Sequence, residues 1–361
     1  MIKQALLCTC ALAAIGGTAA AQDVVRVFNW SDYIDEDILT SFTEDTGIEV
    51  IYDVFDSNEV LETRLLAGNT GYDVVVPTAS FMARQIEAGV FQPMERSLIP
   101  NAQYAWPEID ERVSRYDPGN VYGINYMWGT TGIGFVQELL DERMENAPVD
   151  SWSIVFDPEI ASRFADCGIY WLDAPTEIFP SVLVYLGYDP NSTNPEELEA
   201  AAAAMEAVRP YIRRFHSSEY ISALANGDIC LAIGWSGDVL QARDRAAEAE
   251  NGLTIDYRIP SEGAQMWFDM FAIPADAPDP DAARAFINYV MDPEVNAQAI
   301  NYINYASGNV GAQEFVDPEV LADPAIFPNA ETLANLFTVD PYDPQVQRLV
   351  NRLWTRVKSG Q

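Results

Sequence analysis

From residue 24 onward, segments suited to strands alternate with segments suited to helices, and this order limits the fold more than any other feature. Residues 24–30 are β-rich. In 35–46, Ile38, Leu39 and Phe42 recur at helical spacing, and Gly47 supplies a stop. Residues 48–55 read as a second strand. Ser57 is placed as the cap of a helix carrying Val60, Leu61, Leu65 and Leu66, ended by Gly68. Residues 72–77 form a third strand rich in Val, and Ser80 is placed as the cap of a helix stopping near Gly89. Strand–helix–strand–helix–strand predicts a parallel sheet with right-handed crossovers.

The middle repeats this style. Residues 167–172 read as a strand and 176–186 as a helix; 221–226 end a helix; 230–235 are a strand and 238–250 a helix. Residues 255–259 and 266–273 are further strands, and helices follow at 281–291, 294–302 and 345–358. The 361 residues are enough for two domains. No internal repeat, low-complexity tract or long linker separates them. Two α/β lobes are therefore expected, with the chain crossing between them more than once.

The first residues look like a removable leader: Lys3 is a positive start, 6–15 a short apolar run, and Ala19, Ala20 and Ala21 a small-residue cleavage site before Gln22. The run is too short to span a bilayer. An exported protein without membrane insertion is expected. Cys8 and Cys10 leave with the leader, and Cys167 and Cys230 remain. An even pair in an oxidising compartment suggests one disulfide, with two buried free thiols as the alternative. The 55 acidic residues exceed the 20 basic ones, for a formal net charge of -35. Such a surface repels nucleic acid and attracts cations, although solubility or a salty habitat accounts for most of the excess.

In open α/β sheets, ligands bind beyond the carboxyl ends of the strands. Those ends carry Trp30, Ser31, Asp32 and Tyr33; Thr78 and Ser80; Asp173, Ala174 and Glu177; and Trp235, Ser236 and Asp238. Trp267 and Asp269 are two apart in one strand and share a face. Aromatics, hydroxyls and carboxylates recur there, and Lys and Arg do not. That set suits an elongated cation: carboxylates for its ammonium heads, indole and phenol faces for its methylene stem. Each cation–π contact contributes roughly 0.5–2 kcal/mol. Every residue also has a plainer role. Ser31 and Ser80 serve as helix caps, Glu177 and Asp238 complement helix dipoles, and Trp30 and Trp235 pack in the core. Their joint placement at strand ends carries the weight.

Beyond these residues the chain resembles the bacterial periplasmic putrescine/spermidine-binding proteins of ABC importers, the putrescine type most closely. The matching stretches include FNWSDYI (28–34), TGIEVIYDVFDSNEVLE (46–62), GYDVVVPTASF (71–81), YMWGTTGIGF (126–135), LDAPTEIF (172–179), NGDICLAIGWSGDV (226–239) and WTRVKSG (354–360). The resemblance implies a two-lobed, type II-like flytrap with the ligand in the interlobe cleft. The expected lobes are 22–128 plus 262–303 and 129–261 plus 304–361. It implies a Cys167–Cys230 bridge and a ligand set of Trp30, Ser31, Asp32, Tyr33, Thr78, Ser80, Glu177, Trp235, Asp238, Trp267, Asp269 and Tyr305. Within that set, Asp238 and Asp269 are expected to hold one ammonium, and Asp32 and Glu177 to serve the other end. Ser31–Asp32, Ser80, Ala174 and Val339 look like the putrescine type, whereas Trp267 looks like the spermidine type.

The implied function is a periplasmic, monomeric solute-binding component that delivers putrescine or spermidine to an inner-membrane ABC permease. The rivals are a spermidine-preferring binder, a polyamine sensor and a carboxylate-based hydrolase. No phosphate loop, dinucleotide fingerprint or Cys/His metal spacing occurs, so no cofactor or metal is expected. His216, the single histidine, has no triad pattern around it and is read as structural. An amino-acid ligand would ask for an Arg near its carboxylate, and the strand ends offer none.

Overall fold

The computed structural model describes residues 23–360. The leader at 1–21, with Cys8 and Cys10, lies outside them. Ten strands form one continuous sheet system: β1 (Val24–Trp30), β2 (Glu49–Phe55), β3 (Val74–Val75), β4 (Gly123–Val136), β5 (Ile169–Trp171), β6 (Ile212–Phe215), β7 (Leu231–Trp235), β8 (Ile255–Arg258), β9 (Met266–Ala272) and β10 (Ala306–Ser307). The order along it is β2-β1-β3-β9-β4-β7-β5-β6, with β8 and β10 also paired to β4.

β4 joins the two lobes. Its residues 123–130 pair with β9, and its residues 131–136 pair with β7 and β8. All 14 residues of β4 are buried, which is why the alternation that marks a half-exposed strand is missing there. The sequence reading passed over it as a strand for that reason, and because glycine and threonine dilute its apolar run. The chain crosses once inside β4. β8 and β9, consecutive in the chain, pair with opposite ends of β4, and the helix Pro344–Ser359 packs against the helices Pro175–Tyr185 and Pro195–Val208.

The parallel sheet expected from the strand–helix order holds for β2-β1-β3 and for β6-β5-β7. The sheets are otherwise mixed, because β4 and β9 run antiparallel to their neighbours. β3 is also shorter than expected, at two residues. The local signals at Gly47, Ser57 and Gly68 work as read: Ser57 caps the helix Asn58–Ala67 with its side chain, and the glycines end their helices at positive φ; Asp35, read as the first helical residue, is instead the side-chain cap of the helix Glu36–Thr46. The cap assigned to Ser80 is corrected. The helix Ala79–Glu87 starts one residue after Thr78, so Ser80 lies in its first turn. Thr78 makes no side-chain cap bond; its hydroxyl is committed to Asp269 instead.

Cys167 and Cys230 form a disulfide with Cα atoms 5.5 Å apart. It ties the segment before β5 to the start of β7 and closes 63 residues. A loop of that length stabilises by about 4 kcal/mol. We predict that Cys167→Ser/Cys230→Ser lowers the thermal unfolding midpoint by about 5 °C while leaving the fold intact; calorimetry with and without reductant on the native protein gives the comparison.

Candidate functional site

The carboxyl ends of β1, β2, β3, β6 and β7, the first residues of β9 and Tyr305 converge on one cavity with about 440 Å³ of empty space, its mouth included. Each of its three buried acids is held by neutral donors. Asp269, early in β9, accepts from Tyr33 Oη (2.8 Å) and Thr78 Oγ1 (2.7 Å). Asn58 grips Thr78 twice, donating Nδ2 to its hydroxyl (2.9 Å) and accepting its backbone N–H (3.1 Å). Asp238, in the first turn of the helix Ser236–Glu248, accepts from Tyr220 Oη (2.7 Å) and Tyr305 Oη (2.6 Å). Glu177, in the first turn of the helix Pro175–Tyr185, accepts from Thr131 Oγ1 (2.5 Å) and Gln265 Nε2 (3.1 Å).

The aromatic walls are equally fixed. Trp30 donates Nε1 to the Val76 carbonyl (2.9 Å) and meets Trp235 edge to face at 5.6 Å. Tyr305 lies between Tyr33 (5.2 Å) and Trp267 (5.3 Å). Two glycines make this arrangement possible. A Cβ on Gly129 would lie 2.8 Å from the Trp267 ring, and one on Gly237 would lie 2.4 Å from the Tyr305 ring.

Among the described residues, no lysine or arginine lines the cavity. Asp238, Asp269 and Glu177 are buried, so their negative charge has no ionic partner. Burial raises all three: Glu177 and Asp269 to about 7, and Asp238 to about 6, the hydroxyl donors only partly opposing it. The site is thus short of positive charge and walled by π faces.

Comparison with known proteins agrees with this architecture. Residues 37–328 match the family model of the bacterial extracellular solute-binding protein. The chain belongs to that family. It is 49% identical over 348 residues to the putrescine-binding periplasmic protein PotF of Escherichia coli (strain K12), covering 96% of this chain and 94% of that one. It is 48% identical over 349 residues to the putrescine-binding periplasmic protein SpuD of Pseudomonas aeruginosa, covering 96% and 95%. Among solved structures, an ABC-transporter protein of Listeria monocytogenes aligns with a TM-score of 0.84 at 31% identity, covering 94% of this chain and 100% of that one. The spermidine/putrescine substrate-binding protein PotD of Streptococcus pneumoniae aligns with a TM-score of 0.75 at 29% identity, covering 94% and 99%. The two-lobed fold is common to them.

In this solute-binding protein, Trp30, Ser31, Tyr33, Thr78, Glu177, Trp235, Asp238, Trp267, Asp269 and Tyr305 line the cavity together. Asp32 and Ser80 do not. Asp32 sits at positive φ, exposed, and its carboxylate meets Arg245 Nη2 at 2.7 Å. Ser80 faces a neighbouring cavity with Phe81, Arg84, Thr176 and Val339. Asp56, Asn58 and Ser217 also line the site and were not singled out from the sequence. The signal for the first two was available, since they follow β2 directly; Ser57 between them was read only as a cap. Ser217 follows β6, a strand too short and too exposed to stand out.

An acid raised by burial binds protons in the folded state that the unfolded chain has already lost. Its contribution to stability is therefore complete at low pH and fades as pH rises through 6 to 7. We predict that Asp269→Asn, which keeps the shape without the charge, gains on wild type by on the order of 1–3 kcal/mol between pH 5 and pH 8 in the ligand-free protein. Chemical denaturation at both pH values tests this. A constant difference between the two proteins would show that Asp269 carries no buried charge.

Proposed function

We propose that this protein captures putrescine between its lobes in the periplasm and hands it to an inner-membrane ABC permease, with spermidine as a second ligand. The observation that carries this reading is the set of three buried carboxylates without a protein cation, under Trp30, Trp235, Trp267 and Tyr305. A diammonium chain supplies the missing charge at its ends and an apolar stem for the rings. Asp238 and Asp269 take one ammonium: they lie close enough for Asp238 to raise Asp269, and their phenol donors Tyr33 and Tyr305 meet edge to face. Glu177 serves the other end. Asp32 acts at the rim, where its pairing with Arg245 joins β1's end to the Ser236 helix.

The relatives are binding proteins of transporters, and we read this chain as a monomeric binder, not an enzyme. The lobes are placed at 22–128 plus 262–303 and 129–261 plus 304–361, so that residues near 129, 262 and 304 flex. Ligand contacts both lobes fully only when they close, which shifts the population to the closed form.

Titration calorimetry on the full chain tests the reading. Putrescine is expected to bind, and Asp238→Asn and Asp269→Asn each to weaken it roughly 30-fold or more, since each leaves a buried ammonium short of a partner. Unchanged affinity in both variants would remove these acids from the site. Affinity is also expected to fall as pH drops from 8 to 5, because the free carboxylates take up protons in that range and the cation must displace them. A flat pH profile would contradict the charge-deficit account.

A further inference from the structure

Most exposed apolar side chains are scattered singly, but Tyr302 and Phe315, 55% and 44% exposed, share one surface groove. Asp35, Glu294, Gln298 and Asn301 complete it. The groove is built. Gln298 Nε2 donates to Asp35 Oδ2 (2.8 Å), and the backbone N–H of Asp317 donates to Asn301 Oδ1 (3.0 Å), fixing the Phe315 segment against the helix Pro293–Ile303. Its charge is one-sided: Asp35 and Glu294 line it, and no Lys or Arg among the described residues does. An exposed aromatic pair with a carboxylate rim is complementary to a lysine or arginine flanked by an apolar side chain.

The groove also adjoins the contacts that set the lobes' position. Immediately after Tyr302, the Ile303 carbonyl accepts from Gln241 Nε2 (3.3 Å), which also reaches the Asp32 carbonyl (3.2 Å). Asn304 Nδ2 donates to Asp244 Oδ2 (2.7 Å). Gln241 and Asp244 lie on the helix whose first turn places Asp238 in the ligand cavity. A partner seated on Tyr302 therefore lies one residue along the chain from the carbonyl that holds this helix.

Resting on the transport reading above, we propose that the Tyr302–Phe315 groove is the surface on which the permease seats a basic, apolar-flanked segment of its extracytoplasmic face. The position of the Ser236 helix tells that partner whether the lobes are closed. A membrane surface is disfavoured, because the groove's acids repel anionic lipid.

The test uses the full-length mature protein and its permease in nanodiscs, with putrescine-dependent ATP hydrolysis as readout. Tyr302→Ser/Phe315→Ser and, separately, Glu294→Lys are expected to keep putrescine affinity within about twofold. Both should raise the concentration of binding protein needed for half-maximal stimulation by about tenfold or more, the cost of one or two lost anchors. Unchanged half-saturation in both variants overturns the proposal. So does a wild-type dimer in sedimentation that the aromatic variant abolishes, since the groove would then belong to a second copy. A wild-type protein that fails to bind putrescine or to stimulate hydrolysis sinks the transport reading instead.

Discussion

Three carboxylates buried without a positive partner are the constraint around which this molecule is arranged. An isolated buried charge is costly, and proteins normally pair it or neutralise it. Here Asp238, Asp269 and Glu177 are instead each held by two neutral donors, drawn from Tyr33, Thr78, Thr131, Tyr220, Gln265 and Tyr305. Those bonds fix the oxygens in place but leave the charge unanswered, which is why burial lifts the acids towards neutral pH. The fold tolerates the deficit so that a ligand can fill it.

The donors come from distant parts of the chain, which makes the site a product of the whole topology. Thr131 lies just past the crossing point in β4, Gln265 just before β9, and Tyr305 just before β10. All three lie in or beside strands that pair through β4, so the acid-holding shell depends on that central strand. The aromatic faces depend on it as well, since Gly129 in β4 makes room for Trp267 and Tyr305.

Much of this was legible beforehand, and the failures have physical causes. The helix cap at Ser57 and the stops at Gly47 and Gly68 are local chemistry, so spacing and residue type sufficed. Ser80 reads as a cap because it is a hydroxyl residue at a helix start, but Thr78 holds the cap position, and Asp269, 191 positions away, takes the Thr78 side chain out of capping. β4 escaped notice because burial on both faces erases period-two patterning. Asp32 looked equivalent to the other acids at a strand end, yet its left-handed backbone turns it towards Arg245 and the rim.

The sequence by itself determined the inventory: which strand ends carry acids and aromatics, that no basic residue stands among them, and where most helices begin and stop. These follow from short-range periodicity and residue chemistry. Only the tertiary structure decided which acids face one cavity, which hydroxyl holds which oxygen, and that one strand serves both lobes. Those outcomes depend on contacts between residues 18 to 236 positions apart, and no local pattern encodes which of several similar side chains will make them.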